Sequence, residues 1–266
     1  YTGKIGFECY NIENTALEDW FHERVKKMNT FLSSEESAFV ARELFQAKYL
    51  EEFLQKKFLG AKRFSLEGGE AFIPMIQEIF SLAAEREYHM GVIGMAHRGR
   101  LNVMTNVLKK PYRELFYEFN TNKFPPISKG MGDVKYHKGY KTKVKTRSGK
   151  SIELLLASNP SHLESVDPVV AGIAKGIEMK SEGKIKILPV LIHGDASVAG
   201  QGVVYETLQL SKIEGYEVSG CLHIVINNQL GFTAIPKESR STRYCTDIAK
   251  AFGSPVIHVN GEDPAA

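Results

Sequence analysis

Asp195, in Gly194-Asp195-Ala196, and Asn228, in Asn227-Asn228, are the residues best placed by type and spacing to do chemistry. Each follows an apolar run: Ile187 to Ile192 leads through His193 and Gly194 to the aspartate, and Leu222 to Ile226 ends just before the asparagine pair. Short runs that are apolar throughout suit strands buried on both faces of a parallel sheet. A carboxylate and an amide oxygen would then leave the carboxyl ends of two strands, where open α/β sheets bind ligands. Magnesium takes hard oxygen donors in octahedral geometry, commonly one or two from protein and the rest from phosphates and water. The pair therefore reads as a magnesium-diphosphate clamp.

The elements that must position this pair follow from periodicity. Residues up to about Gly60 read as helical, with Val40, Leu44, Ala47, Leu50, Leu54 and Phe58 at the three- and four-residue steps of one packing face. Glu70 to Glu87 reads as a second helix, and from Met90 onward strand-like and helix-like pieces alternate. Gly91 to Gly94 and Ile152 to Ala157 are strand candidates. A helix begins near Arg100, and Asp167-Pro168 reads as the N-cap and first position of a helix reaching Ser181. Asn120 to Lys150 reads as one irregular polar loop, Gly202 to Ile213 as a helix, and Tyr244 to Phe252 as a last crossover before a strand at Val256 to Val259. Such alternation implies right-handed parallel crossovers. The expected fold is α/β, a mostly parallel sheet with helices on both faces, preceded by a helical N-terminal segment. Residues 1–66 form that segment and residues 67–266 the α/β domain.

Composition removes several classes of function. With 266 residues, 43% hydrophobic and 24% charged, the chain can bury a substantial core. A net charge of +3 is too mild for a nucleic-acid footprint, and the basic stretch Lys135 to Lys150 carries no aromatic ladder for stacking bases. Cys9, Cys221 and Cys245 are far apart with no CxxC spacing, which points to reduced thiols rather than zinc or redox work. No apolar stretch reaches the length of a membrane span. Because the chain begins at Tyr1 and stops at Ala266 just after a strand, it is expected to be part of a longer polypeptide.

Four polar clusters fall near the ends of the proposed strands: Ala96 to Arg100, Ser158 to Leu163, Gly194 to Ala196 and Asn227 to Leu230. Gly-Asp-Ala followed by Asn-Asn resembles the signature of thiamine-diphosphate enzymes. The longer strings Gly94 to Asn102, Gly132 to His137, Asn159 to Glu164 and Arg240 to Asp247, together with Tyr1 to Glu8, are similar to the first component of 2-oxoglutarate dehydrogenase complexes. That resemblance covers nearly the whole chain. It implies thiamine diphosphate and Mg2+ as cofactors, with Asp195, the Asn228 side chain and the Leu230 carbonyl as metal ligands. It further implies that Arg98, His137, Ser161, Leu163 and Ala196 line the cofactor, and that His97 and His162 stand beside the substrate.

The activity so implied is oxidative decarboxylation of 2-oxoglutarate, with transfer of the succinyl group to the lipoyl arm of a succinyltransferase component in the citric acid cycle. The glutamate that works on the aminopyrimidine ring belongs to a second, pyrimidine-binding domain. Nothing here resembles that domain, so a homodimer is implied in which a partner subunit completes the site. Such an enzyme is expected in the cytoplasm of a bacterium or the mitochondrial matrix of a eukaryote. A 2-oxoadipate dehydrogenase and a non-catalytic scaffold that kept the fold are the competing readings. Tyr136 before His137 favours the five-carbon substrate over the six-carbon one, and the retained Asp195, Asn228, His97 and His162 speak against a scaffold. Cys221 and Ser197 depart from the residues common at their positions in the family. His193 adjoins the Gly-Asp pair without a role of its own, and the faint dinucleotide pattern Gly200 to Tyr205 lacks its last glycine.

Overall fold

The computed structural model describes residues 4–10, 12–28, 30–119, 135–160, 162–217 and 220–266. β1 (Ile5–Glu8) is followed by α1 (Thr15–Lys26) and α2 (Ser34–Lys57), the latter started by a capping box between Ser33 and Glu36. Next come α3 (Phe72–Glu85), β2 (Met90–Met95) and α4 (Arg100–Asn102), which runs on as a π-helical turn over Val103–Val107. α5 (Tyr112–Phe119), β3 (Tyr140–Lys145), β4 (Ser151–Leu156), α6 (Val166–Lys180) and β5 (Ile187–Gly194) follow. The chain continues through α7 (Asp195–Gly200), α8 (Gly202–Gln209), β6 (Leu222–Ile226) and α9 (Pro236–Ser239). A 3₁₀ helix over Cys245–Phe252 then leads to β7 (Val256–Val259).

Five strands form one sheet in the order β3-β4-β2-β5-β6, parallel except for the edge strand β3. Strand side chains alternate between its two faces. Ile93, Met95, Leu154, Leu156, Val190 and Ile192 meet α2, α3 and the π-helical turn, while Met90, Val92, Ile187 and Leu191 meet Val170 and Ala174 of α6. A fully buried aliphatic side chain contributes about 1.5–3 kcal/mol, so burial of this central sheet on both faces dominates the fold. Glycines let the layers approach: a Cβ at Gly91 would stand 2.5 Å from Phe80 of α3, and one at Gly94 would stand 2.8 Å from Val170 of α6. Among the described residues, no helix is long and apolar enough to cross a membrane.

The mostly parallel sheet and its helical cover agree with the sequence reading, and four local details differ. The N-terminal segment opens with a strand, not a helix. That strand pairs antiparallel with β7, Ile5 opposite Val259, so β7 leaves the parallel sheet it was expected to join. The described part of the loop expected between Asn120 and Lys150 contains β3. Its Tyr140, Thr142 and Val144 alternate with three exposed lysines, and the charged outer face suits an edge strand because it discourages further pairing. Finally, α6 begins at Val166, with no side-chain cap from Ser165. Asp167 lies inside the first turn, 1% exposed, and turns toward His193 instead of capping the helix.

Candidate functional site

Parallel pairing of β4, β2, β5 and β6 carries all four polar clusters to the same edge of the sheet. Gly194 is level with Ile226. Asp195 and the Asn227-Asn228 pair therefore leave neighbouring strands, whose spacing is about 4.8 Å. Asp195 opens α7 with its carboxylate 3% exposed, and Arg240 Nη1 approaches it to 3.3 Å. Asn228 is exposed, and its Oδ1 accepts from the Leu230 amide at 3.2 Å. That bond turns the chain back in an Asx turn and uses one of two lone pairs.

The return loop then closes onto α7. A Cβ at Gly231 would come within 2.9 Å of the Ala196 methyl, so glycine is what allows this approach. Gln229 and Phe232 take left-handed φ values of 60° and 59° in the same loop. Non-glycine residues adopt that region at a cost and cluster at functional loops. The candidate donors at this corner, the buried Asp195 carboxylate and the Asn228 amide oxygen, are hard oxygens of the kind that magnesium takes together with phosphate ligands.

At the neighbouring strand ends, His97 and Arg98 are half-buried after β2. The His97 ring lies 3.8 Å from that of Phe64, and Arg98 Nη1 donates to the Ser65 carbonyl at 3.1 Å. Burial, with the cations Arg98 and Lys62 nearby, pushes the His97 imidazole below its ordinary pKa. After β4, His162 is exposed and Leu163 half-buried. His137 is held there through its backbone, its carbonyl accepting from the Asn159 amide at 3.0 Å. Among the described residues, no hydrogen bond or ring contact joins His97 to His162. Ser161, and residues 132–134 of the Gly132 to His137 string, lie outside the described residues. Tyr136 is a packing residue, with its hydroxyl donating to the Lys62 carbonyl and its ring edge-on to Phe64 at 5.0 Å.

Three side chains with large structural roles were missed by sequence reasoning. Arg100 is fully buried and donates to the carbonyls of Met95, Lys138 and Ala157 at 2.9, 2.8 and 2.6 Å. It thereby ties the ends of β2 and β4 to the approach to β3. Arg240 neutralises Asp195. Glu51 of α2, 5% exposed, accepts from the Leu66 amide and from Asn102 Nδ2, both at 3.2 Å, and so anchors the 63–66 loop under His97 and Arg98. The Arg98-Gly99-Arg100 triplet was the available signal for Arg100. The left-handed Gly99, φ 73°, is the bend that sends the second arginine inward. A cavity of about 330 Å³ lined by Ala199, Gly202, Tyr205, Thr242, Cys245 and Ile248 flanks α7 and α8, and none of the candidate ligands lines it.

Comparison with known proteins agrees with this arrangement. The chain is 44% identical, over its full length, to the multifunctional 2-oxoglutarate metabolism enzyme of Mycolicibacterium vanbaalenii, covering 22% of that protein. It is 48% identical, again over its full length, to the 2-oxoglutarate dehydrogenase E1 component of Cupriavidus necator, covering 28% of it. The chain thus spans less than a third of the length of either relative. The profile of the family described as "Dehydrogenase E1 component" matches residues 43–266, which run from the middle of α2 through every strand of the sheet, and the chain belongs to that family.

Proposed function

We propose that the intact protein is a thiamine-diphosphate-dependent 2-oxo acid dehydrogenase. It decarboxylates 2-oxoglutarate and passes the succinyl group to the lipoyl arm of a succinyltransferase component. The observation that carries this reading is the buried Asp195 carboxylate at the end of β5, beside the Asn228 turn at the end of β6. The E1 family is generally dependent on thiamine diphosphate, and both relatives carry 2-oxoglutarate in their names.

In this reading residues 67–266 are the diphosphate-binding domain. Asp195, Asn228 and the Leu230 carbonyl would hold Mg2+, and Arg98, His137, Ser161, Leu163 and Ala196 would hold the cofactor. When bound, thiamine diphosphate supplies a carbon nucleophile and an electron sink for loss of carbon dioxide. The protein contributes position and charge. Arg98, fixed through one nitrogen to Ser65, keeps further N–H groups for phosphate oxygens. His97, held neutral by burial and neighbouring cations, suits accepting and returning a proton, whereas exposed His162 suits pairing with a substrate carboxylate. The pyrimidine half would come from a second subunit, so the isolated 266 residues are expected to be inactive.

Calorimetry on the full-length protein with magnesium and thiamine diphosphate, followed by rates on the five- and six-carbon 2-oxo diacids, tests the proposal. Saturable cofactor binding and a higher kcat/KM for 2-oxoglutarate are expected. Faster turnover of 2-oxoadipate would reassign the substrate, and absence of cofactor binding would leave a scaffold. A pH profile tests the role given to His97. The acid limb of kcat/KM is expected below the ordinary imidazole value of about 6.5, because protonation of His97 is disfavoured by its burial and by Arg98 and Lys62. An acid limb unchanged in His97→Gln would remove this residue from proton handling.

A further inference from the structure

Behind the strand edge lies a buried polar cluster that the site as described does not use. Glu164, 4% exposed and in a left-handed conformation with φ 67°, directly follows the His162-Leu163 pair. Its Oε2 lies 2.6 Å from Nδ1 of His193, which is 1% exposed at the end of β5. Its Oε1 accepts from the hydroxyl of Ser197, which follows Asp195-Ala196 in α7 and also lies 3.1 Å from the Gly194 carbonyl. On its far side His193 continues through Nε2 to His223 Nδ1 on β6, 2.9 Å away.

The cluster is a hydrogen-bonded network and not a second metal centre. Ligands on one divalent ion at bond lengths of about 2.0–2.2 Å stand roughly 3 Å or more apart, so a 2.6 Å contact between Nδ1 and Oε2 is a direct hydrogen bond. Burial alone would raise the Glu164 carboxyl, but the bonds from His193 and Ser197 outweigh it and hold the group below its ordinary value. Glu164 is therefore an anion that only accepts, and His193 Nδ1 carries the proton. Asp167 is driven the other way, up to about 7, by burial and by Glu164 itself.

We infer that Glu164 is a positioning residue for the reaction: its carboxylate locks the His162-Leu163 loop, after β4, to the start of α7 that carries Asp195 and Ala196. β4 and β5 are not neighbours in the sheet, since β2 lies between them. No backbone ladder joins β4 directly to β5, and the Glu164 bridge is the side-chain tie that links the loop after the one to the helix after the other. The left-handed backbone at Glu164 is what turns its side chain inward while His162 remains exposed. Strained conformations of this kind persist only where surrounding contacts over-determine them. The inference rests on the cofactor reading proposed above.

The test uses the full-length protein and the variants Glu164→Ala and Glu164→Gln. The measurements are the Kd of thiamine diphosphate with magnesium, by calorimetry, and kcat and KM for 2-oxoglutarate at saturating cofactor. Losing a partner that orients ligands typically costs about ten- to a hundredfold in affinity or activity. Glu164→Ala is therefore expected to weaken cofactor binding and lower kcat by about that factor. Glu164→Gln, which keeps the shape and one accepting oxygen, is expected to recover part of both. A role confined to stability would shift only the unfolding midpoint, and unchanged Kd and kcat in either folded variant overturns the inference. If Glu164→Ala fails to fold, Glu164→Gln decides alone. Wild-type protein that binds no cofactor would instead defeat the proposed function, an outcome visible before any variant is made.

Discussion

Replacing Asp195 with alanine in the full-length protein is expected to weaken binding of magnesium and thiamine diphosphate by about a hundred- to a thousandfold. The magnitude follows from burial. The carboxylate is 3% exposed and its partner Arg240 10% exposed. Truncating one partner of a buried charge pair at a binding interface, here the carboxylate that would face the ion, costs about 2–5 kcal/mol, and each 1.4 kcal/mol is about tenfold in affinity. The substitution removes the anionic ligand of the proposed ion and leaves Arg240 as a buried cation facing the same corner. Electrostatics then oppose the metal as well as failing to attract it. Asp195→Asn keeps an oxygen donor and the volume but loses the charge, so it should fall between wild type and alanine. Calorimetric titration of the three proteins measures the series. Asp195→Ala binding as tightly as wild type would show that the clamp is elsewhere.

The Arg240 contact adds a second readout to the same experiment. In Arg240→Met the buried Asp195 has lost its counter-charge, and magnesium can restore one. Anything that binds only the folded state stabilises it in proportion to its affinity. Addition of magnesium and thiamine diphosphate should therefore raise the thermal midpoint of Arg240→Met by more than that of wild type, and that of Asp195→Ala by less.

What the sequence disclosed and what it concealed divide along physical lines. β2 and β5 were legible because strands buried on both faces need apolar residues at nearly every position, and a polar residue at their ends then stands out; β6, an edge strand that is only partly buried, was legible from its largely apolar run. The convergence of four clusters on one edge followed from parallel topology alone. β3 was concealed because its lysines read as a solvated loop, although Tyr140, Thr142 and Val144 keep the two-residue period of a strand with one face inward. The pairing of β1 with β7 joins the two ends of the chain, and no local pattern announces a partner so distant. Glu164 and Arg240 were hidden for a related reason. Their partners, His193 with Ser197 and Asp195, lie far away in sequence, so residue type alone gave no sign that these charges are buried and paired. Asp167 misled the reading because an acidic residue before proline has the spacing of a cap, whereas the fold buries this carboxyl beside Glu164 and His193 within the first turn.

Arg100 is where the same limit has its largest energetic consequence. Its guanidinium is fully buried, bonds three backbone carbonyls and has no carboxylate partner within ion-pair distance among the described residues. Burial lowers its pKa to about 10, which still leaves it charged at neutral pH. Hydrogen bonds to charged groups are worth about 1.5–3 kcal/mol each, and a buried carbonyl left without a donor costs about 1–3 kcal/mol. Arg100→Met would strip three such bonds and orphan the Met95, Lys138 and Ala157 carbonyls together, with relaxation and water entry recovering part of the loss. A net destabilisation of about 4 kcal/mol is expected, at the severe end for single substitutions, which for a domain of this size lowers the melting temperature by about 8–16 °C. Arg100→Lys should rescue little, because one ammonium on a flexible stem cannot reproduce a planar fork aimed at three acceptors. Thermal unfolding of the full-length protein checks the magnitude. Hydrogen exchange at the Ala157 amide, which donates to Ile93, and the Asn159 amide, which donates to His137, checks the location. The sheet edge should loosen there first, because the guanidinium joins strand ends that carry His97 on one side and His162 on the other. Unchanged exchange at those amides in a destabilised variant would mean that Arg100 supports the core and not the edge that holds the site.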